Sequence, residues 1–154
     1  QSKTNKDNFL ALYENPCIVW KTDYAVDIYY SAVKGETFVC PIAKGTLMDM
    51  MYMPDALNAA ISLMEADPEK LIHRNAFNIA SMSFDLEAIY EVILRHVPDF
   101  KMFYQVDPLK HRIADRWPDC LDDTCAREEW GWKPAYDLES MTVDMLEKLR
   151  AKLK

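Results

Sequence analysis

The stretch Arg116–Leu138, R-W-P-D-C-L-D-D-T-C-A-R-E-E-W-G-W-K-P-A-Y-D-L, marks both ends of a short helix. Asp122 or Asp123 is placed to cap its first N–H groups, and a negative charge suits that end. Gly131 follows Trp130 where a left-handed C-cap belongs, and Pro134 blocks continuation. Trp117, Trp130 and Trp132 all flank this one helix. So much aromatic area in a short span forms a packed seam or a ligand wall.

Working outward, the flanking elements alternate. Downstream, Asp137 is the N-cap of a final helix with Leu138, Met141, Met145 and Leu149 on one face and Leu146 beside them. Its basic end, with Lys148, Arg150, Lys152 and Lys154, complements the macrodipole. Upstream, Asp107-Pro108 opens a short helix through Ile113 and Ala114, and Lys101–Gln105 reads as a strand. Ser83 is expected to cap a helix whose inner face is Leu86, Ile89, Tyr90, Ile93 and Val97, with Pro98 ending it. Ala76–Ala80 reads as a strand. A helix starting with Pro54 at its first position is expected to bury Leu57, Ala60, Ile61 and Met64. Met48–Met53 carries four methionines in six residues. Thioethers are copper(I) ligands, but adaptable core filling is the better reading.

Gly45-Thr46 reads as a turn, and Thr37–Ile42 as a strand that Pro41 confines to an edge or an end. Ala25, Ile28, Tyr29 and Ala32 form the stripe of a helix capped by Thr22 and stopped at Gly35. Before it, Phe9–Tyr13 reads as a helical turn or two, Cys17–Trp20 as a short buried strand, and Gln1–Asn8 as a frayed terminus. Strands alternating with helices place the chain in the α/β class, an α+β-like small lobe.

Length and composition narrow the function. A chain of 154 residues, half apolar and 28% charged, fits one globular soluble domain. A net charge of −7 without a Lys/Arg run argues against nucleic acid or an anionic membrane as partner. No apolar run reaches membrane-spanning length. Cys17, Cys40, Cys120 and Cys125 form no C-x-x-C pair, and no histidine stands near them at zinc-ligand spacing. They read as free thiols in an intracellular, reducing compartment, cytoplasm or mitochondrial matrix. His73, His96 and His111 are far apart and read as surface or capping residues, so no metal site is assigned.

The pattern D-D-T-x-A-R-x-x-W-G-W-K-P, Asp122–Pro134, resembles the end of the extended short-chain dehydrogenases and sugar-nucleotide epimerases. There an Asp-Ser/Thr and Ala-Arg run leads to Leu/Trp-Gly-Trp-x-Pro. The flanking W-P-D-x-L-D-D is narrower and resembles the L-threonine 3-dehydrogenase branch. T-D-Y-A-V-D-I-Y at Thr22–Tyr29 and M-M-Y-M-P-D-A-L at Met50–Leu57 are similar to the same branch. The resemblance is collinear from about Lys21 to Lys148 and covers only the family's C-terminal, substrate-binding half. It divides the chain into residues 1–20, outside the resemblance, and 21–154, a lobe without its Rossmann domain. The apolar pattern of Phe9–Trp20 is expected to cover surface that the missing domain would otherwise bury.

The resemblance implies NAD-dependent oxidation of L-threonine to 2-amino-3-oxobutanoate, in threonine catabolism, by the complete enzyme. It implies substrate contacts at Trp117 and Thr22. The family's G-G-G-T-T-D-Y-A run is matched at Thr22, Asp23, Tyr24 and Ala25, whereas Val19, Trp20 and Lys21 replace glycines and the first threonine. Three glycines in the whole chain leave no G-x-x-G-x-x-G turn for a pyrophosphate, so no cofactor-binding residue is assigned. Tyr30–Lys34 matches Y-x-x-x-K but falls on a helix that lies beyond the catalytic pair in the family. Tyr13 and Tyr90 have no lysine at that spacing, so no catalytic residue is assigned. The chain alone is expected to be inactive, with no cofactor of its own, and to need a nucleotide-binding half or self-association, L-threonine being its candidate ligand. The alternative is a truncated or engineered derivative, catalytically dead, persisting as a structural or partner-binding module.

Overall fold

The computed structural model describes residues 24–74 and 76–153. The expected elements over Phe9–Tyr13 and Cys17–Trp20, the Thr22 cap and the Thr22 contact lie outside the described residues.

The first described helix, α1 (Tyr24–Lys34), buries Tyr24, Ala25, Ile28, Tyr29 and Ala32. It ends at Gly35, whose φ of 70° is the left-handed conformation that a C-cap favours. Strand β1 (Phe38–Cys40) and strand β4 (Met102–Tyr104) pair in parallel, Phe38 opposite Met102 and Cys40 opposite Tyr104. The pairing continues past Pro41, whose carbonyl accepts the Asp107 N–H at 2.8 Å. Proline lacks a donor but keeps its acceptor, which is why it sits at a strand end. Strand β2 (Met48–Met50) and strand β3 (Met82–Phe84) form a separate antiparallel pair.

Between β2 and β3 runs α2 (Met53–Glu65), and after β3 comes α3 (Leu86–His96). Two seven-residue helices follow β4, α4 (Pro108–Ala114) and α5 (Thr124–Trp130), and α6 (Leu138–Lys152) closes the chain. Helices α1, α3 and α6 pack pairwise around the main core. The core is tied across the chain by Tyr29 and Thr142, oxygen to oxygen 2.8 Å. Thr142 donates its own proton to the Leu138 carbonyl at 2.7 Å, so Tyr29 is the donor to Thr142. Asp137 and Ser140 form a reciprocal capping box at the start of α6.

Three expectations need correction. Ser83 lies inside β3, and the cap of α3 is Asp85, whose carboxylate accepts the Ala88 N–H at 2.9 Å. Ser83 is paired opposite Asp49 in the ladder, so the cap falls to Asp85 two residues on. On α2, Asp55 and Ala59 are buried, whereas Ile61 is 49% and Met64 78% exposed. The apolar stripe faces outward because Asp55 is held inside by backbone donors described below. Finally, residues 76–80 form no strand. Among the described residues no backbone–backbone hydrogen bond joins them to another segment. They still alternate like a strand. Phe77 and Ile79 pack against Ala59, Ala126 and Trp132, while Ala76 and Asn78 are exposed. A strand needs a ladder partner, and none stands beside them among the described residues.

Candidate functional site

The Asp115–Trp132 region holds the residues that the sequence singled out. Gly131 has φ 75° and ψ 28°, and its N–H returns to the Ala126 carbonyl, as the C-cap reading requires. Of the two aspartates expected at the start of α5, Asp122 takes its first N–H group. Asp122 accepts the Thr124 backbone N–H at 3.0 Å and the Thr124 hydroxyl at 2.6 Å, a turn two residues on. Asp123 makes no capping bond. It accepts from Arg127 Nε at 2.7 Å, one helical turn away.

The three tryptophans separate. Trp130 and Trp132 stack obliquely, ring centroids 5.8 Å apart, and Phe77 meets Trp130 edge-on at 6.0 Å. Trp132 is 4% exposed and donates its indole N–H to the Ala80 carbonyl at 2.9 Å. They form a packed seam around α5. Trp117 lies apart, 55% exposed, in the turn after α4, with its N–H on the Ala114 carbonyl.

Two side chains set the loop that carries Trp117. Asp49 of β2 accepts the Leu121 N–H at 2.6 Å, and Ser83 of β3 donates to the Asp119 carbonyl. The Asp49 side chain thereby ties the antiparallel pair to the Trp117 loop. A cleft of about 410 Å³ opens beside this loop, lined by Lys44, Thr46, His111, Asp115 and Asp119 among others. Tyr30 and Lys34 lie on the last turns of α1, with Lys34 exposed.

A further grouping was invisible in sequence. Glu129 on α5 accepts the backbone N–H groups of Ile72 at 2.7 Å and His73 at 3.0 Å through one oxygen, and binds the His73 ring through Nδ1 with the other. Desolvation opposes its charge, but these bonds outweigh that and hold Glu129 below the usual carboxylate range. Cys125, one turn earlier, lies 4.0 Å from His73 Nε2. His73 and Cys125 are 52 residues apart, so local spacing gave no signal. His96 meets Glu139 at 2.9 Å on the surface near the end of α3, in keeping with its reading as a surface or capping residue.

Charged pairs elsewhere set the pH response. The bond from Arg127 holds Asp123 low, outweighing its desolvation. Desolvation raises Asp144, but Lys148 and the Tyr52 hydroxyl, each 2.6 Å away, bring it below the usual range. Carboxylates with lowered folded values contribute stability above the ordinary value of 3.8, and it is lost as pH falls through the lower folded values. Burial pushes Tyr29 up from 10.0 to about 12, so its contribution is full below 10.0 and lost as pH rises toward 12. The melting midpoint is therefore expected to be flat from about pH 5 to 9 and to fall on both sides. A midpoint that rises as pH is lowered from about 5 to 3 contradicts this.

No family model matches the chain. An L-threonine dehydrogenase from Clostridium difficile superposes with a TM-score of 0.81 and 56% identity, covering 84% of this chain and 41% of that one. The chain is similar to the C-terminal half of L-threonine 3-dehydrogenases. The Phytophthora infestans L-threonine dehydrogenase gives a TM-score of 0.80 at 41% identity, covering 84% of this chain and 42% of that enzyme. An uncharacterized epimerase/dehydratase of Staphylococcus saprophyticus is 53% identical over 133 residues, 86% of this chain and 42% of the relative. These relatives match the extended short-chain dehydrogenase superfamily. The chain thus spans about two fifths of the curated relatives it matches. A UDP-glucose 4-epimerase from Thermotoga maritima, TM-score 0.67 at 21% identity, shares the fold. Among the described residues no helix is long and apolar enough to cross a membrane.

Gly35 and Gly131 each end a helix and Gly45 stands in a turn, so none of the three belongs to a glycine-rich pyrophosphate loop.

Proposed function

We propose that this chain supplies the substrate-binding lobe of an NAD-dependent L-threonine 3-dehydrogenase, with hydride transfer resting on a nucleotide-binding half outside it. The observation that carries this reading is the 56% identity to the Clostridium difficile enzyme across 84% of the chain. One surface supports it. The outward face of α2, with Ile61 49% and Met64 78% exposed, is what a nucleotide-binding sheet would cover. Trp117 on its anchored loop would close over the amino acid, and Thr22 would face it. NAD belongs to the other half, where a pyrophosphate turn is available.

The test joins this chain to the N-terminal part of the Clostridium difficile enzyme. Threonine-dependent NADH formation is expected from the chimera and not from the chain alone. Trp117→Ala in the chimera is expected to raise the KM for threonine at least about tenfold. Because Trp117 is 55% exposed, the same change should leave the melting midpoint nearly constant. A folded chimera that binds NAD⁺ but ignores threonine overturns the proposal. That outcome would favour the second reading, a lobe kept as a structural or partner-binding module. The observation behind that reading is Val19, Trp20 and Lys21 standing where the family run has glycines and a threonine.

A further inference from the structure

We propose that His73, Cys125 and Glu129 form a site for one borderline-soft divalent cation of the zinc class. Cys125 and Glu129 are four residues apart on α5, so both point to the same side of the helix. His73 approaches that side from the loop after α2. The donor atoms of the three side chains all lie within 4.8 Å of one another.

The hydrogen bonds assign the roles. Glu129 holds the loop through the Ile72 and His73 N–H groups and holds the ring through Nδ1. That leaves Nε2 turned toward the Cys125 sulfur, 4.0 Å away. Metal–nitrogen and metal–sulfur bonds of about 2.0 and 2.3 Å reach both atoms across that gap with little movement of either. A carboxylate bonded to the far nitrogen is the usual partner behind a metal-bound imidazole, fixing the ring and raising its basicity. Glu129 already stands there, bonded to His73 Nδ1. Thiolate and imidazole together select zinc-class ions over magnesium or calcium.

Access and surroundings fit this role. The His73 side chain is 52% exposed and that of Glu129 7%, so the ion enters from solvent while its support is fixed. Water completes the coordination. The edge of the imidazole packs against Phe77, centroids 6.3 Å apart, which holds the ring from another side. On binding, Cys125 loses its thiol proton to solvent and the cation takes its place on sulfur. The ion joins the loop after α2 to α5, immediately ahead of residues 76–80. The site is independent of the dehydrogenase reading, because none of its members is a proposed substrate contact.

Cobalt(II) titration of the full chain tests this, since thiolate ligation gives an intense near-ultraviolet charge-transfer band. One equivalent is expected to produce the band, and zinc(II) to bleach it by displacement. Cys125→Ser should abolish it, and Glu129→Gln should weaken binding about tenfold. Cys120→Ser, an exposed cysteine five residues away, should leave it intact. Zinc(II) should raise the melting midpoint of the wild type and of Cys120→Ser but not of Cys125→Ser. Absence of the band in the wild type, its survival in Cys125→Ser, or its loss in Cys120→Ser overturns the proposal. Cys125 is exposed, so its serine variant folds and the comparison remains decisive.

Discussion

Replacing Asp55 with alanine is expected to lower the unfolding free energy by about 2–4 kcal/mol, the cost of leaving two backbone donors without an acceptor. Asp55 is 1% exposed, on the inner face of α2. One carboxylate oxygen accepts the Ala135 N–H at 2.9 Å and the other the Tyr136 N–H at 3.1 Å. Both donors lie in the irregular connection between α5 and α6, where no helix or ladder supplies a carbonyl. The carboxylate is therefore the acceptor that lets this connection cross the end of α2. Tyr136 then meets Tyr52 edge-on, centroids 4.9 Å apart, so the join extends into the main core. Asp55→Asn keeps one acceptor oxygen and should lose roughly half as much. Urea denaturation followed by circular dichroism measures both. A midpoint for Asp55→Ala within about 0.5 kcal/mol of wild type would show that water satisfies these donors.

Trp132→Ala is expected to cost about 3–5 kcal/mol, the range for a large buried aromatic. The ring is 4% exposed, stacks on Trp130, and packs with Ala59 of α2 and Ala126 of α5. Its N–H holds the Ala80 carbonyl, a tertiary tie between α5's end and residues 76–80. The small second cluster has few other members, so neighbouring side chains cannot close the cavity. Trp132→Phe should recover most of the packing and lose the one hydrogen bond, about 1 kcal/mol. An equal loss for both variants would assign the effect to the bond instead of the ring.

Legibility followed the range of the interaction. The stripe of α1, the Asp107 and Asp137 caps and the Gly131 stop were all readable, because each depends on residues within one or two turns. The outward face of α2 was misread because Leu57, Ala60, Ile61 and Met64 have helical spacing in their own right. Nothing in that window reports the two N–H groups, eighty residues on, that draw Asp55 inward. Residues 76–80 have strand composition and strand alternation but find no partner strand among the described residues. Trp117 was grouped with two other tryptophans by nearness in sequence, yet Asp49 and Ser83 hold its loop on β2 and β3.

The sequence by itself determined the helices of the described residues, their glycine stops, the α/β class and the likeness to the threonine dehydrogenase C-terminal half. Periodicity, caps and collinear motifs are properties of short stretches and survive without coordinates. Only the tertiary structure decided which helix faces are buried, that Trp130 and Trp132 belong to a seam while Trp117 stands open, and that His73 meets Cys125 and Glu129. Each of those depends on groups distant in sequence finding one another. The chain's balance of backbone hydrogen bonds and apolar burial is struck over the whole fold and not within any window of sequence.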